Sequence, residues 1–391
     1  ERKEPRVYSG YAGTGKTTIV ENIANQAVSA GHSVIIGAPT NKAVRRLKEV
    51  TNIDEIPRQL EYSTIHGVLY GAMKEDGTFG APKSLTSKDF LILDEASMID
   101  QNLYDDLISA AVSKGAKVIF LGDSFQLRPV GKDPRILSNP TVQLTEVRRQ
   151  SLDSDILKYA TALRTENTLN SKNLYTPSTG STANFTVTPS AKNEFLKSLS
   201  KGEDAVLITA TNANRVQANK FGREFKFGKD KADANIILPR EQIIFIANSN
   251  FFKNSEQLTV KDYEIRHVTQ IKVQVAKNEQ VTIEAVFFTT NGKTIMLVPG
   301  WPKPGLQHSQ IKEYPSEYKD RFGMSNSVAI ATHGYSITAH KSQGSEWDKV
   351  FVDYDMIGDK GMDPRWMYTA ITRGKEEVIL QQRQDLPQKS W

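Results

Sequence analysis

The sequence predicts an α/β protein of two domains built on parallel sheets, with a hairpin inserted in the first domain and a small β-barrel inserted in the second. Three observations predict it. Short apolar runs recur between amphipathic stretches along most of the chain. A glycine-rich loop stands between a short strand and a helix near the N-terminus. One segment breaks the α/β rhythm with alternating β-branched residues.

The chain has 391 residues, more than one core usually holds, so two or more domains are expected. Hydrophobic residues make up 38% and charged residues 24%, which suits a folded chain. Fifty Lys and Arg face 45 Asp and Glu, and the resulting +5 suits a polyanionic partner without requiring one. The lack of cysteine excludes disulfide scaffolds, thiol nucleophiles and cysteine zinc sites. No apolar run of about 18 residues occurs and Glu1–Glu4 has no signal-peptide character, so a cytoplasmic protein with no membrane partner is expected. The chain opens without methionine just before its first motif, which suggests a trimmed or missing upstream segment.

The runs 33–38, 90–93, 118–121, 206–209, 350–352 and 378–380 read as buried parallel strands. The first domain is expected over 1–150 and the second over 151–391. Within the first, Tyr70 to Ser84 carries the turn Glu75-Asp76-Gly77 and reads as a projecting hairpin within about 67–88. Within the second, Gln242 to Val298 alternates apolar residues around the turn Asn291-Gly292 and reads as an all-β insert of about 242–321. Thr165 to Ser190, rich in Ser, Thr and Asn, reads as a connector.

Gly10-Tyr11-Ala12-Gly13-Thr14-Gly15-Lys16-Thr17 satisfies the phosphate-loop pattern, with a strand before it and the helix from Thr18 after it. Glycines turn backbone N–H groups toward phosphate oxygens, Lys16 reaches the β- and γ-phosphates of ATP, and the Thr17 hydroxyl binds Mg²⁺. Phe90 to Leu93 ends in Asp94-Glu95, two acids at the carboxyl edge of a strand, where α/β sheets bind ligands. Asp94 is the second Mg²⁺ ligand, and Glu95 orients and deprotonates the attacking water. By itself such a pair is as often a solvated strand end; the upstream loop decides between the two. The next strand ends in Gly122 to Val130, where the Gln126 amide suits a γ-phosphate sensor.

Taken with 38–43, 63–66, 144–150, 338–346 and 368–374, these segments resemble, in family order, the motifs of superfamily 1 helicases, most closely the 5′-to-3′ subgroup of Dda, RecD and TraI-type proteins. The resemblance implies two RecA-like motor domains with ATP between them, single-stranded DNA across their upper faces, an SH3-like character for the β insert, and replication or recombination proteins as partners. It implies arginine fingers at Arg149 and Arg373, nucleotide contacts from Gly13, Thr14, Gly15, Thr18, Gln343 and Gly344, and a ribose contact from Glu346. It also implies a wedge in the hairpin, where Phe79 lies beside the turn. Family members carry an adenine-reading glutamine upstream of the phosphate loop; no residues exist here to hold it.

Pro39, Thr40, Asn41, Thr64, His66, Phe125, Thr338 and His340 match positions of that family that contact single-stranded DNA, and Thr211-Asn212 is a similar pair after the strand 206–209. Hydroxyls, amides and imidazoles suit sequence-independent phosphate contacts, and the Phe125 ring suits base stacking. Single Thr, Asn and His residues after strands are also common turn formers and caps. His66 and His340 have no second ligand at metal spacing, so a metal site there is rejected. Besides the DNA motor, a nucleotide kinase, an RNA-directed helicase and a DNA-binding module without ATP turnover remain open.

Overall fold

The computed structural model describes residues 4–53, 59–71, 89–146, 154–165, 176–177, 180–182, 184–234, 236–247, 249, 251–252, 256–276, 279–301, 306, 310–313, 328–353, 363–382 and 388–389. These fall into two compact units, the first ending with the helix Asp155–Thr165. Among the described residues no helix is long and apolar enough to cross a membrane.

In the first unit, β1 (Arg6–Gly10), β2 (Ser33–Ala38), β3 (Leu60–Thr64), β4 (Asp89–Leu93), β5 (Lys117–Gly122) and β6 (Val142–Leu144) make one all-parallel sheet in the order β3-β2-β4-β5-β1-β6. Its strands are apolar on both faces because helices cover both. Leu91, Leu93, Val118 and Phe120 pack with α3 (Ile65–Tyr70) and α4 (Gln101–Lys114). Their alternates Ile92, Ile119 and Leu121 pack with α1 (Lys16–Ser29) and α2 (Asn41–Val50). The pleat thus sends successive residues of one strand into two cores. Asp100 starts α4 by accepting from Leu103 N at 2.9 Å, and Gly115 ends it at φ 70°.

The second unit repeats the plan. Strands β8 (Gly180–Ser181), β9 (Phe185–Thr188), β10 (Ala205–Thr209), β18 (Ser336–Thr338), β19 (Trp347–Val352) and β20 (Gly374–Gln381) form a sheet in the order β18-β10-β19-β20-β9-β8, parallel except at β8. Helices α6 (Ala191–Lys201) and α7 (Asn212–Phe227) pack on it through Phe195, Leu199 and Ala218. Phe185–Thr188 lies inside the stretch expected to be a connector. Its alternating burial, inward at Phe185 and Val187, makes it a strand.

The β-rich segment forms a second sheet of seven strands: β11 (Glu241–Phe245), β12 (Gln257–Val260), β13 (Glu264–Ala276), β14 (Glu279–Thr290), β15 (Lys293–Leu297), β16 (Ile311–Glu313) and β17 (Val328–His333), in the order β12-β11-β17-β15-β14-β13-β16. Among the described residues its edge strands β12 and β16 are not paired with each other, so no closed barrel is seen. The sheet also passes the expected limit at 321, because β17 sits between β11 and β15. Two residues after β17 the chain becomes β18 of the motor-type sheet. A Cβ on the intervening Gly334 would lie 2.9 Å from the Ile243 carbonyl carbon, so the crossing needs glycine.

The two sheets of this unit are joined through α7. Arg223 reaches Glu241 of β11 through Nε, 3.1 Å from each carboxylate oxygen, and the Tyr335 hydroxyl donates to the same carboxylate at 2.7 Å. Asn219 donates to His333 O at 2.9 Å and accepts from Ser336 N at 2.9 Å. Burial pushes Glu241 above the usual carboxylate range, and Arg223 and Tyr335 pull it back.

Candidate nucleotide and nucleic-acid sites

The phosphate loop spans the turn from β1 into α1. Gly13 at φ 78° and Gly15 at φ 81° hold left-handed conformations that a side chain resists. Lys16 folds its ammonium back onto the loop, donating to Gly10 O at 2.8 Å and Tyr11 O at 3.0 Å. Thr14 is buried, its hydroxyl donating to Tyr11 O at 2.8 Å, whereas Thr18 is exposed on the first turn of α1. The Tyr11 ring carries the Arg164 guanidinium at 3.6 Å from its centroid, so the last turn of the helix Asp155–Thr165 leans on the loop.

Beside β1 stands β5, and beyond it β4, which ends at Asp94 and Glu95. Asp94 N donates to Gly37 O at 2.8 Å, and Asp94 Oδ1 accepts from Glu95 N at 2.8 Å. Burial raises the Asp94 carboxyl above its ordinary range, opposed by Lys16, the Glu95 N–H and Arg46. Glu95 sits at φ 54°, ψ 39°, left-handed for a residue with a Cβ. Such a conformation persists where the surroundings impose it, commonly at functional turns.

The end of β5 is pressed against this turn. A Cβ on Gly122 would meet Ala96 N at 3.2 Å and Leu137 Cδ1 at 2.8 Å. Buried Asp123 then accepts from Phe125 N at 3.0 Å, and Gln126, 4% exposed, donates its own N–H to Asp123 O at 3.2 Å. This tight turn draws the Phe125 ring inward to 6% exposure, where an exposed stacking surface is expected. Strand order therefore gathers Lys16, Asp94, Glu95 and the Gln126 turn at adjacent carboxyl edges.

Those residues suit ATP with Mg²⁺. Lys16 directs its ammonium to two carbonyls of the loop, and a Cβ at Gly15 would meet nothing within 4 Å. Asp94 is a hard oxygen donor whose desolvation a divalent cation offsets. Among the described residues there is no cluster of three or more His, Asp or Glu to hold a metal, so a cation here relies on few protein ligands and on phosphate oxygens.

The expected DNA contacts line the carboxyl edges too. Thr40 caps α2 by accepting from Ala43 N at 3.2 Å, Thr64 caps α3 from Gly67 N at 3.0 Å, and Thr211 caps α7 from Asn214 N at 3.1 Å. The same hydroxyls thus begin helices and stand at the sheet edge. Pro39, Asn41, His66 and Asn212 are half-buried beside them. In the second unit Thr338 ends β18, His340 follows in the helix Ala339–Ser342, Gln343 is buried, Gly344 turns at φ 71° and Glu346 is half-buried. Arg373 is buried at the end of the helix Pro364–Ile371, Nε donating to Thr369 O and Nη2 to Thr372 Oγ1, each at 3.1 Å. Arg149, Phe79 and the hairpin beyond Gly71 lie outside the described residues. Sequence reasoning gave no role to Arg164, Asp123, Arg215 or Lys341; cation–aromatic stacking between distant residues leaves no periodic signal.

Comparison with known proteins agrees along the chain. The AAA domain family matches residues 1–177, and the UvrD-like helicase C-terminal domain family matches residues 333–381. The ATP-dependent RecD2 DNA helicase of Deinococcus radiodurans is 38% identical over 164 residues, 40% of this chain and 21% of that protein. The chain therefore spans about a fifth of that relative. The ATP-dependent DNA helicase dda of Enterobacteria phage T4 is 24% identical across 97% of this chain and 94% of its own. A crystal structure of Pif1 helicase from Bacteroides, in complex with ADP-AlF3 and ssDNA, shares the fold with a TM-score of 0.50 at 17% identity, covering 97% of this chain and 89% of that one. With these motifs in order on two α/β units, the chain is similar to the superfamily 1 helicases of the 5′-to-3′ subgroup.

Proposed function

We propose that the chain is an ATP-driven motor that moves 5′ to 3′ on single-stranded DNA and unwinds duplex from a single-stranded tail. The observation that carries this reading is the shared sheet edge of the first unit, where Lys16, Asp94, Glu95 and the Gln126 turn stand next to the capping threonines Thr40 and Thr64. Nucleotide-sensing and track-contacting groups then move with the same strands.

In this reading Lys16 releases Gly10 O and Tyr11 O to bind the β- and γ-phosphates, and Gly13, Gly15 and Thr18 supply backbone N–H groups. Thr17 and Asp94 hold Mg²⁺, which supplies Lewis-acid polarisation of the phosphoryl oxygens when bound. Glu95 positions water and accepts its proton, Gln126 reports the γ-phosphate, and Arg373 and Arg149 are the arginine fingers. Gln343, Gly344 and Glu346 contact the nucleotide. The segment beyond α3, within Tyr70 to Ser84, is the wedge that parts the strands, and the β-rich sheet is an insert of the second motor domain.

The test is steady-state ATP turnover with and without a single-stranded oligonucleotide. Strong stimulation by DNA is expected. Turnover indifferent to DNA favours a phosphotransferase, no turnover a passive binder, and stimulation by RNA alone an RNA-directed motor.

A further inference from the structure

The phosphate loop carries one aromatic side chain, Tyr11, and its ring is supported from outside the loop. The Arg164 guanidinium lies over that ring, 3.6 Å from its centroid. Arg164 stands in the last turn of the helix Asp155–Thr165, whose Ile156, Tyr159, Ala160 and Leu163 are buried at helical spacing, so the cation is carried on a packed element. Among the described residues Arg164 makes no hydrogen bond and no ion pair, and the Tyr11 hydroxyl makes no hydrogen bond. Within that set the contact is between guanidinium and ring alone.

The backbone of the same residue holds the loop together. Tyr11 O accepts from Thr14 Oγ1 at 2.8 Å, from Lys16 Nζ at 3.0 Å and from Thr14 N at 3.3 Å. Gly10, just before it, is pinned from the other side, since a Cβ there would lie 2.6 Å from Thr14 Oγ1 and 3.0 Å from Leu144 Cβ. A shift of Tyr11 therefore moves the acceptor that Lys16 and Thr14 share. Gly13 and Gly15, both left-handed, offer little resistance to such a shift, because glycine has many backbone conformations open to it. What fixes the Tyr11 ring thus bears on the geometry of the whole loop.

We propose that Arg164 is a positioning residue of the nucleotide site: stacked on Tyr11, it holds the phosphate loop in the conformation that receives the β- and γ-phosphates. The proposal rests on the reading of that loop as an ATP site. Arg164 touches no phosphate in this role and acts through the ring. The chain leaves the first unit after Asn167, so the helix that steadies the loop also begins the connection to the second unit.

The test uses the full chain, with a fluorescent ADP titrated and ATP turnover measured for wild type, Arg164→Gln, Arg164→Lys, Tyr11→Phe, Tyr11→Leu and the double variant Arg164→Gln/Tyr11→Leu. Loss of the stack lowers the fraction of loops ready for phosphate, and apparent affinity falls by the same factor, about three- to tenfold for one cation–aromatic contact. Arg164→Gln and Tyr11→Leu are expected to weaken ADP binding and raise the KM for ATP by that factor, with kcat at saturating ATP within about twofold of wild type. Tyr11→Phe keeps the ring and should bind ADP like wild type; Arg164→Lys keeps the cation and should recover part of the loss. The double variant should bind no more weakly than the weaker single variant. Wild-type ADP affinity in Arg164→Gln overturns the proposal while leaving the ATP site intact. A double variant whose loss is the product of the two single losses overturns it too, because Arg164 then acts without the ring. A fall in kcat at unchanged affinity overturns it by giving Arg164 a contact in the transition state. If a Tyr11 variant fails to fold, the two Arg164 variants still decide, since equal losses in both overturn a role for the cation. A wild-type protein that binds neither ADP nor ATP overturns the ATP-site reading and this proposal with it.

Discussion

Lys16 donates to the carbonyl oxygen of Gly10 at 2.8 Å, so the cation proposed to bind phosphate is also tied to its own loop. Lys16→Ala removes both roles. Turnover of ATP should fall to background while oligonucleotide affinity stays within about threefold of wild type, because the capping threonines proposed to face the track keep their own hydrogen bonds. Fluorescence anisotropy beside a phosphate-release assay reads this. Equal loss in both means that the loop has unfolded or that the two sites are one.

Glu95 holds a left-handed conformation next to a carboxylate that accepts its N–H. Glu95→Gln keeps the shape and the backbone contact but cannot take a proton. ATP should bind normally and hydrolysis should drop by roughly 10² or more. A single-turnover experiment with pre-bound ATP separates the steps, and wild-type turnover there removes Glu95 as the base.

Much of this site is legible in the chain itself, and the reason is local. The phosphate loop, Asp94-Glu95 and the turn after Gly122 each follow a buried strand directly, so strand, turn and chemistry lie within a few residues. What the chain conceals is longer in range. Val328–His333 is apolar and β-branched like a motor strand, yet it pairs between β11 and β15, and only tertiary contacts decide that. The Arg223–Glu241–Tyr335 network joins residues up to 112 positions apart, and burial of Phe125 follows from a turn made by Asp123. Threonines at strand ends support capping and track contact alike, and periodicity does not separate the two.

Arg373 is held by Thr369 and Thr372 of its own helix end, away from solvent. As an arginine finger it leaves those partners only when charge develops on the γ-phosphate. Arg373→Ala should therefore slow turnover by on the order of 10³ and leave ADP affinity nearly unchanged. A change of less than about fivefold in kcat makes it a structural residue at the end of the helix Pro364–Ile371.

The wedge predicts a different split. Phe79→Ala should retain DNA-stimulated ATP turnover and slow the unwinding of a tailed duplex, since base stacking on one ring contributes ~1–3 kcal/mol. Strand-displacement rates measured beside ATP turnover decide it, and unwinding at the wild-type rate takes Phe79 out of the mechanism.

His333 gives the second unit an acid-sensitive joint. Its Nε2 lies 3.1 Å from Ile236 O and 4.0 Å from Glu241, yet burial, reinforced by Arg223 and by Arg215, lowers it from 6.5 to about 3. The folded histidine stays neutral where the unfolded one takes a proton, so the unfolded chain binds more protons between pH 6.5 and 3. Stability then falls as pH drops through that window, with a limiting slope of about 1.4 kcal/mol per pH unit. Glu241, raised by burial, acts with the opposite sign from its ordinary 4.5 upward, so the acid limb is shallower there than His333 alone would give. His333→Gln isolates the histidine: it keeps a donor for Ile236 O and does not titrate. Urea unfolding followed by tryptophan fluorescence from pH 7.5 to 4.5 should show a flatter acid limb in the variant, even where its stability at pH 7.5 is lower. Parallel limbs would show that His333 is protonated in the fold and paired with Glu241.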